Sequence, residues 1–208
     1  MKSKSGIVIF ILSFIVLALA ISVAVLVNKL NFKNKEDSLM ADAFEIEKKW
    51  LIDKEKIPFD LSAAQALEIE QTYICFSPEM RVRRINGGEQ YILTIKANIT
   101  DDGLTRDEVE YSLTEDDYNN LITKQEGNVI HKTRYKILDS GYMLEVDIYS
   151  GALEGLACLE VEFENSEQAD GFKTPGWVVK EVTGDLNYKN GHLARYGIPA
   201  TFASDMNG

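Results

Sequence analysis

What most constrains this chain is a period-two alternation running from residue 44 to residue 164, which gives one segment after another an apolar and a charged face. In FEIEKKWLI (residues 44–52), Ile46, Trp50 and Ile52 fall on one side, and Glu45, Glu47 and Lys49 on the other. MRVRRI (80–85) pairs Arg81 with Arg83, and QYILTIKA (90–97) puts Lys96 beside Thr94 and Ile92. TRDEVEYSL (105–113) pairs Glu108 with Glu110, beside Arg106. IHKTRYKI (130–137) pairs Lys132 with Arg134, YMLEVDIY (142–149) Glu145 with Asp147, and LACLEVEFE (156–164) Glu160 with Glu162. The opposite faces carry core-forming residues such as Val109, Leu144, Val146, Leu159, Val161 and Phe163.

On one strand, a charged face is an ordinary solvated surface. With a further short strand at 73–76, the pattern covers about eight strands, and an open sheet of that kind leaves long charged edges. Closing the sheet into a barrel, charged inside and packed by helices outside, uses every strand the same way. Such a lumen cannot be dry and unpaired, because isolated buried charges cost many kcal/mol. The expected fold is therefore α+β: an eight-stranded antiparallel β-barrel forming a wet tunnel. Its basic groups suit a polyanion and its carboxylates a hard divalent cation. Helices are expected at 60–71, capped by Asp60 or Ser62, and at 114–125, opened by the Thr114–Asp117 capping box; Ser166 caps a further short one. Asn86-Gly87-Gly88 marks a hairpin turn.

Ahead of this domain, residues 6–27 form an uncharged apolar run long enough to cross a bilayer as a helix. Ala18-Leu19-Ala20 resembles a signal-peptidase site, but the apolar run continues to Val27, which favours an uncleaved anchor. The expected organisation is a short tail (1–5), a transmembrane helix (6–27), a juxtamembrane linker (28–42) and one tunnel domain (43–208). Lys2 and Lys4 before the span and Lys29, Lys33 and Lys35 after it tip the domain toward the cytoplasmic side. A formal net charge of −11 argues against non-specific nucleic-acid binding. Cys75 and Cys158 are too far apart for a CxxC metal or redox motif.

Glu45 to Lys49 matches the ExExK signature of the CYTH superfamily, the triphosphate tunnel metalloenzymes, and the later motifs follow in order. Arg81-x-Arg83, the Thr-Ile-Lys ending at Lys96, Glu108-x-Glu110, Lys132-Thr-Arg134, Glu145-Val-Asp147 and Glu160-x-Glu162 all resemble the family. The stretch from Lys180 to Asp185, with Tyr188, Asn190, Leu193 and Ala194, is similar to the closing segment of bacterial members, although Asn187 stands where many of them have a basic residue. The resemblance implies a β-tunnel that binds a linear triphosphate with Mg²⁺ or Mn²⁺. Activities of such proteins include hydrolysis of tripolyphosphate and of nucleoside or thiamine triphosphates, removal of RNA 5′-triphosphates, and adenylate cyclisation.

The resemblance assigns the metal to Glu45, Glu47, Glu160 and Glu162, with Asp147 a candidate for a second ion. Arg81, Arg83 and Arg134 suit phosphate as bidentate forks, and Lys96, Lys132 and Lys180 as compact charges. Lys49 is either a further clamp or, if cationic neighbours lower its pKa, a base for the attacking water; Glu45 and Glu47 favour the clamp. Glu108, Glu110 and Glu145 are either partners of the basic residues or ligands. The expected function is metal-dependent hydrolysis of tripolyphosphate or nucleoside triphosphates. The alternatives are a membrane-tethered polyphosphate- or nucleotide-binding module without turnover, and an adenylyl cyclase.

Overall fold

The structure, a computed structural model, describes residues 46–98 and 106–207. They form one sheet of nine strands: β1 (Ile46–Ile52), β2 (Gln65–Phe76), β3 (Glu79–Ile85), β4 (Gln90–Asn98), β5 (Arg106–Ser112), β6 (Glu126–Asp139), β7 (Tyr142–Ser150), β8 (Ala157–Phe163) and β9 (Val178–Glu181). The strand order is β5-β4-β3-β2-β6-β7-β8-β1-β9 and every pairing is antiparallel. The expected eight antiparallel strands are thus corrected to nine, with β5 and β9 at the ends of the strand order. The additional strand, β9, comes from the closing segment. The expected anchor at 6–27 lies outside the described residues. Among the described residues no helix is long and apolar enough to cross a membrane.

The larger correction concerns residues 60–71. Asp60 does act as a cap, its Oδ1 accepting the Ser62 N–H at 3.0 Å, but the turn it caps is a single 3-10 turn, Leu61–Ala63. The chain then enters the 12-residue β2, which pairs with β3 on one side and β6 on the other. Ala64, Ala66 and Leu67 favour helix locally, but Ile69, Gln71 and Tyr73 alternate at period two and are buried. Two neighbouring strands satisfy the backbone of β2 on both edges, so tertiary pairing overrides propensity.

The sheet curls. Leu51 of β1 and Tyr73 of β2 belong to one buried cluster, although β6, β7 and β8 lie between their strands. Ile130, Tyr149 and Cys158 from those three strands join the same cluster, with Val182, Tyr188, Leu193 and Ala194 from the C-terminal segment. This apolar plug fills one part of the concave face. A second core lies on the convex side of β7, β8 and β1, where Trp50, Val146, Leu159 and Val161 are fully buried. Helix α2 (Ser166–Gly171) covers it, and Phe172 just beyond packs on Trp50 at 5.5 Å between ring centroids. Each such burial contributes about 1.5–3 kcal/mol relative to exposure. On the convex side of β2, helix α1 (Glu115–Ile122) packs through buried Tyr118, whose hydroxyl donates to Glu70 Oε1 at 2.8 Å.

Helix α3 (Asn190–Tyr196) closes against β6 and β2, followed by the short α4 (Phe202–Asp205). Gly127 makes this approach possible: its φ is +72°, and a Cβ there would meet the Ala194 carbonyl oxygen at 2.7 Å. Asn86 and Gly87, with φ of 49° and 69°, make the expected β3–β4 turn.

Candidate active site

Residues directly opposite in an antiparallel pair share a face, so register decides which charges meet. Across β1 and β8, Lys49 faces Glu160 and Glu47 faces Glu162. Across β7 and β8, Glu145 faces Glu160; across β6 and β7, Arg134 faces Asp147 and Lys136 faces Glu145. On the other limb, Tyr73 faces Arg81, Gln71 faces Arg83, Thr94 faces Glu110 and Lys96 faces Glu108. The concave face therefore carries the charged set that the sequence put on one side of each strand.

At its centre Lys49, 2% exposed, bonds Glu160 Oε1 at 2.8 Å. Burial, the largest single influence, would pull this ammonium down, but the Glu160 carboxylate together with the neighbouring Tyr149 and Cys158 more than offsets it and holds Lys49 well above the ordinary lysine range. Burial would likewise raise Glu160, and Lys49, Lys132 and Arg134 together hold it well below the ordinary carboxylate range. Arg134 donates Nε to Asp147 Oδ1 and Nη2 to Asp147 Oδ2, each at 2.7 Å, and also pairs with Glu145 and Glu160. Asp147, fully buried, accepts from Lys132 as well. Burial and the neighbouring Arg134 lower Lys132 despite that partner.

Arg83 pairs with Glu110 and donates to Thr94 Oγ1 at 3.2 Å; Arg81 lies 3.6 Å from Glu108, which also pairs with Lys96. The Nε atoms of both Arg81 and Arg83 are buried and lack an acceptor. A buried guanidinium N–H without a partner is costly, so these two point to an anion the site is built to receive.

Not every expected residue joins this cluster. Glu45 lies outside the described residues. Lys180 stands opposite Leu51 across β1 and β9, is half-exposed and bonds Asp205 Oδ1 at 2.7 Å, so its ammonium is held by the C-terminal segment. Conversely, Lys136, 3.1 Å from Glu145, extends the Lys132–Arg134 run at the same period and is legible from it. Lys189 bonds Glu47 Oε1 at 2.9 Å from an irregular segment, where no periodicity could reveal it.

The donors on this face suit a hard divalent cation: they are carboxylates, and Glu47 and Glu162 stand directly opposite each other, an arrangement that disfavours the pair unless a cation serves both. Among the described residues no three acidic, histidine or cysteine side chains converge on one point. Glu160 is turned instead toward Lys49 and Arg134.

A curled antiparallel sheet with a paired, mixed-charge concave face is the architecture of a β-tunnel protein. The CYTH domain is matched over residues 43–191, and this chain belongs to that family. It is 34% identical to an inorganic triphosphatase of Nitrosomonas europaea over 72% of this chain and 96% of that protein. It is also 34% identical to an inorganic triphosphatase of Acetivibrio thermocellus, over 73% of this chain and 93% of that protein. A crystal structure of an inorganic triphosphatase, 32% identical, matches the fold with a TM-score of 0.54, covering 72% of this chain and 93% of that one.

Proposed function

We propose that this protein hydrolyses a phosphoanhydride bond of inorganic tripolyphosphate, with nucleoside triphosphates as alternative substrates, using Mg²⁺ or Mn²⁺ on its concave face. The observation that carries this reading is the pair of buried, acceptor-free Nε groups of Arg81 and Arg83, set among cations that otherwise hold carboxylates. The inorganic triphosphatases at 34% identity support the same reading.

The site pairs its own charges, and this defines how it works. A triphosphate brings about four to five negative charges, and it can take Arg81, Arg83, Lys96, Lys132 and Arg134 only if their carboxylate partners are compensated. Glu47, Glu160 and Glu162, with Glu45 and Asp147, are the oxygen donors for that compensation. A divalent cation held by these carboxylates would supply charge neutralisation for the phosphoryl oxygens. Lys49, charged and buried beside Glu160, is a clamp that orients a phosphate oxygen, not a base. The arginine forks hold the chain so that a water attacks in line with the leaving phosphate.

The test is phosphate release from tripolyphosphate, nucleoside triphosphates and pyrophosphate, with Mg²⁺, Mn²⁺ or EDTA. Release from tripolyphosphate that needs the divalent ion is expected; binding without release under all conditions would make this a holding module. We further infer that residues 6–27 anchor the domain on the cytoplasmic side, since the apolar run fits a bilayer span. Protease added to intact cells should spare the domain, and its digestion there would reverse the topology.

A further inference from the structure

Glu47 carries an ion pair that the hydrolytic mechanism leaves unused. Its Oε1 accepts from Lys189 Nζ at 2.9 Å, across 142 positions of sequence. Lys189 is held between fixed neighbours. Tyr188 is fully buried, with its hydroxyl on Asp205 Oδ2 at 2.6 Å. Asn190 Oδ1 accepts from the Tyr149 hydroxyl at 2.9 Å, and the Lys189 carbonyl accepts the His192 and Leu193 N–H groups at 2.9 and 3.0 Å. The ammonium thus reaches Glu47 from packed scaffold. The pair itself stays partly open, at 34% and 27% exposure, whereas Lys49 and Glu160 are at 2% and 9%. The exposed pair can open to water as its partners exchange; the buried pair needs an incoming charge to replace each partner that leaves.

We propose that Lys189 is a counter-ion residue of this site: its ammonium holds Glu47 in the ligand-free protein, and passes to a triphosphate oxygen when a divalent cation takes Glu47. This rests on the functional reading above. An ammonium and a divalent cation on one carboxylate repel, so the ammonium leaves as the cation enters. Its side chain remains tethered within reach of whatever Glu47 touches, where an entering polyanion supplies a new partner.

The exchange gives opposite signs for two ligands. In Lys189→Met, Mn²⁺ alone should bind the substrate-free protein about three- to tenfold more tightly, because a competitor is gone. At saturating Mn²⁺, the KM for tripolyphosphate should rise about tenfold with kcat little changed, because a phosphate contact is lost. Lys189→Arg should restore the KM. The measurements are Mn²⁺ titration calorimetry, initial rates and thermal melting on the full chain. Weaker or unchanged Mn²⁺ binding in Lys189→Met overturns the exchange, as does an unchanged KM. Loss of both affinities with a lowered melting point also overturns it, since that marks a residue that only holds α3 in place. Wild-type protein that neither binds Mn²⁺ nor hydrolyses tripolyphosphate overturns the functional reading first, and this proposal with it.

Discussion

Glu160 is the residue on which most of the site's charge balance turns. It is the partner of Lys49 and Arg134 at once, so Glu160→Gln leaves a buried ammonium undercompensated. A carboxylate viewed as a metal ligand alone would be expected to relieve acidic crowding when removed. With these partners in place the sign reverses, and a loss of about 3–5 kcal/mol in unfolding free energy is expected. Adding Lys49→Met should recover most of it, and strictly additive losses in a denaturant double-mutant cycle would sink the pairing. Register supplies the second residue test. Arg83 lies on the concave face, whereas Arg84 lies on the convex one, bonded to Glu70 Oε2 at 2.7 Å. Arg83→Ala should weaken tripolyphosphate binding by about 10- to 100-fold, the value of a hydrogen bond to a charged group, while Arg84→Ala leaves KM unchanged. Equal effects in a steady-state assay would mean the faces are misassigned. The split between Arg83 and Arg84 is legible in the sequence alone, because a period of two fixes which side chains share a side.

Among the elements, the closing segment is the least legible. Lys180 reads as one more cation of the charged set, yet Asp205 from α4 takes it. That pairing has a pH signature. Hydrogen bonds from Lys180, then Tyr188, hold the Asp205 carboxyl down at about 2. A folded-state value depressed below the unfolded one stabilises at and above about pH 4, and the contribution is lost as pH falls from there toward 2. Melting temperature against pH should therefore fall less steeply over that window in Asp205→Asn than in the parent; parallel curves would remove Asp205 from the account. Gly127 probes the docking of α3. Gly127→Ala places a Cβ 2.7 Å from the Ala194 carbonyl oxygen in a left-handed backbone conformation, and a destabilisation of about 1–3 kcal/mol is expected in urea unfolding. A neutral result would show that α3 shifts at no cost. The β2 segment differs in kind: the Asp60 cap signal is real, but it belongs to one 3-10 turn.

For the whole molecule, the self-paired concave face implies a fold that stands without its ligands. EDTA alone should leave the melting temperature unchanged, whereas Mn²⁺ without substrate, at about a hundredfold over its Kd, should add about 2.7 kcal/mol. A protein that melts on chelation would show that the carboxylates need the metal to fold. The sequence by itself determined the alternation of faces, the residues of the charged set and the core-forming side of most strands, because these follow from side-chain direction along an extended backbone. Only the tertiary structure decided that residues 65–76 are one strand, that β9 extends the sheet, and that Lys189 rather than Lys180 reaches the acidic residues of β1. Those outcomes depend on which backbone edges and which distant carboxylates become neighbours once the sheet curls. Partners that lie elsewhere in the chain, 25 positions away for Lys180 and 142 for Lys189, leave no local periodicity to read.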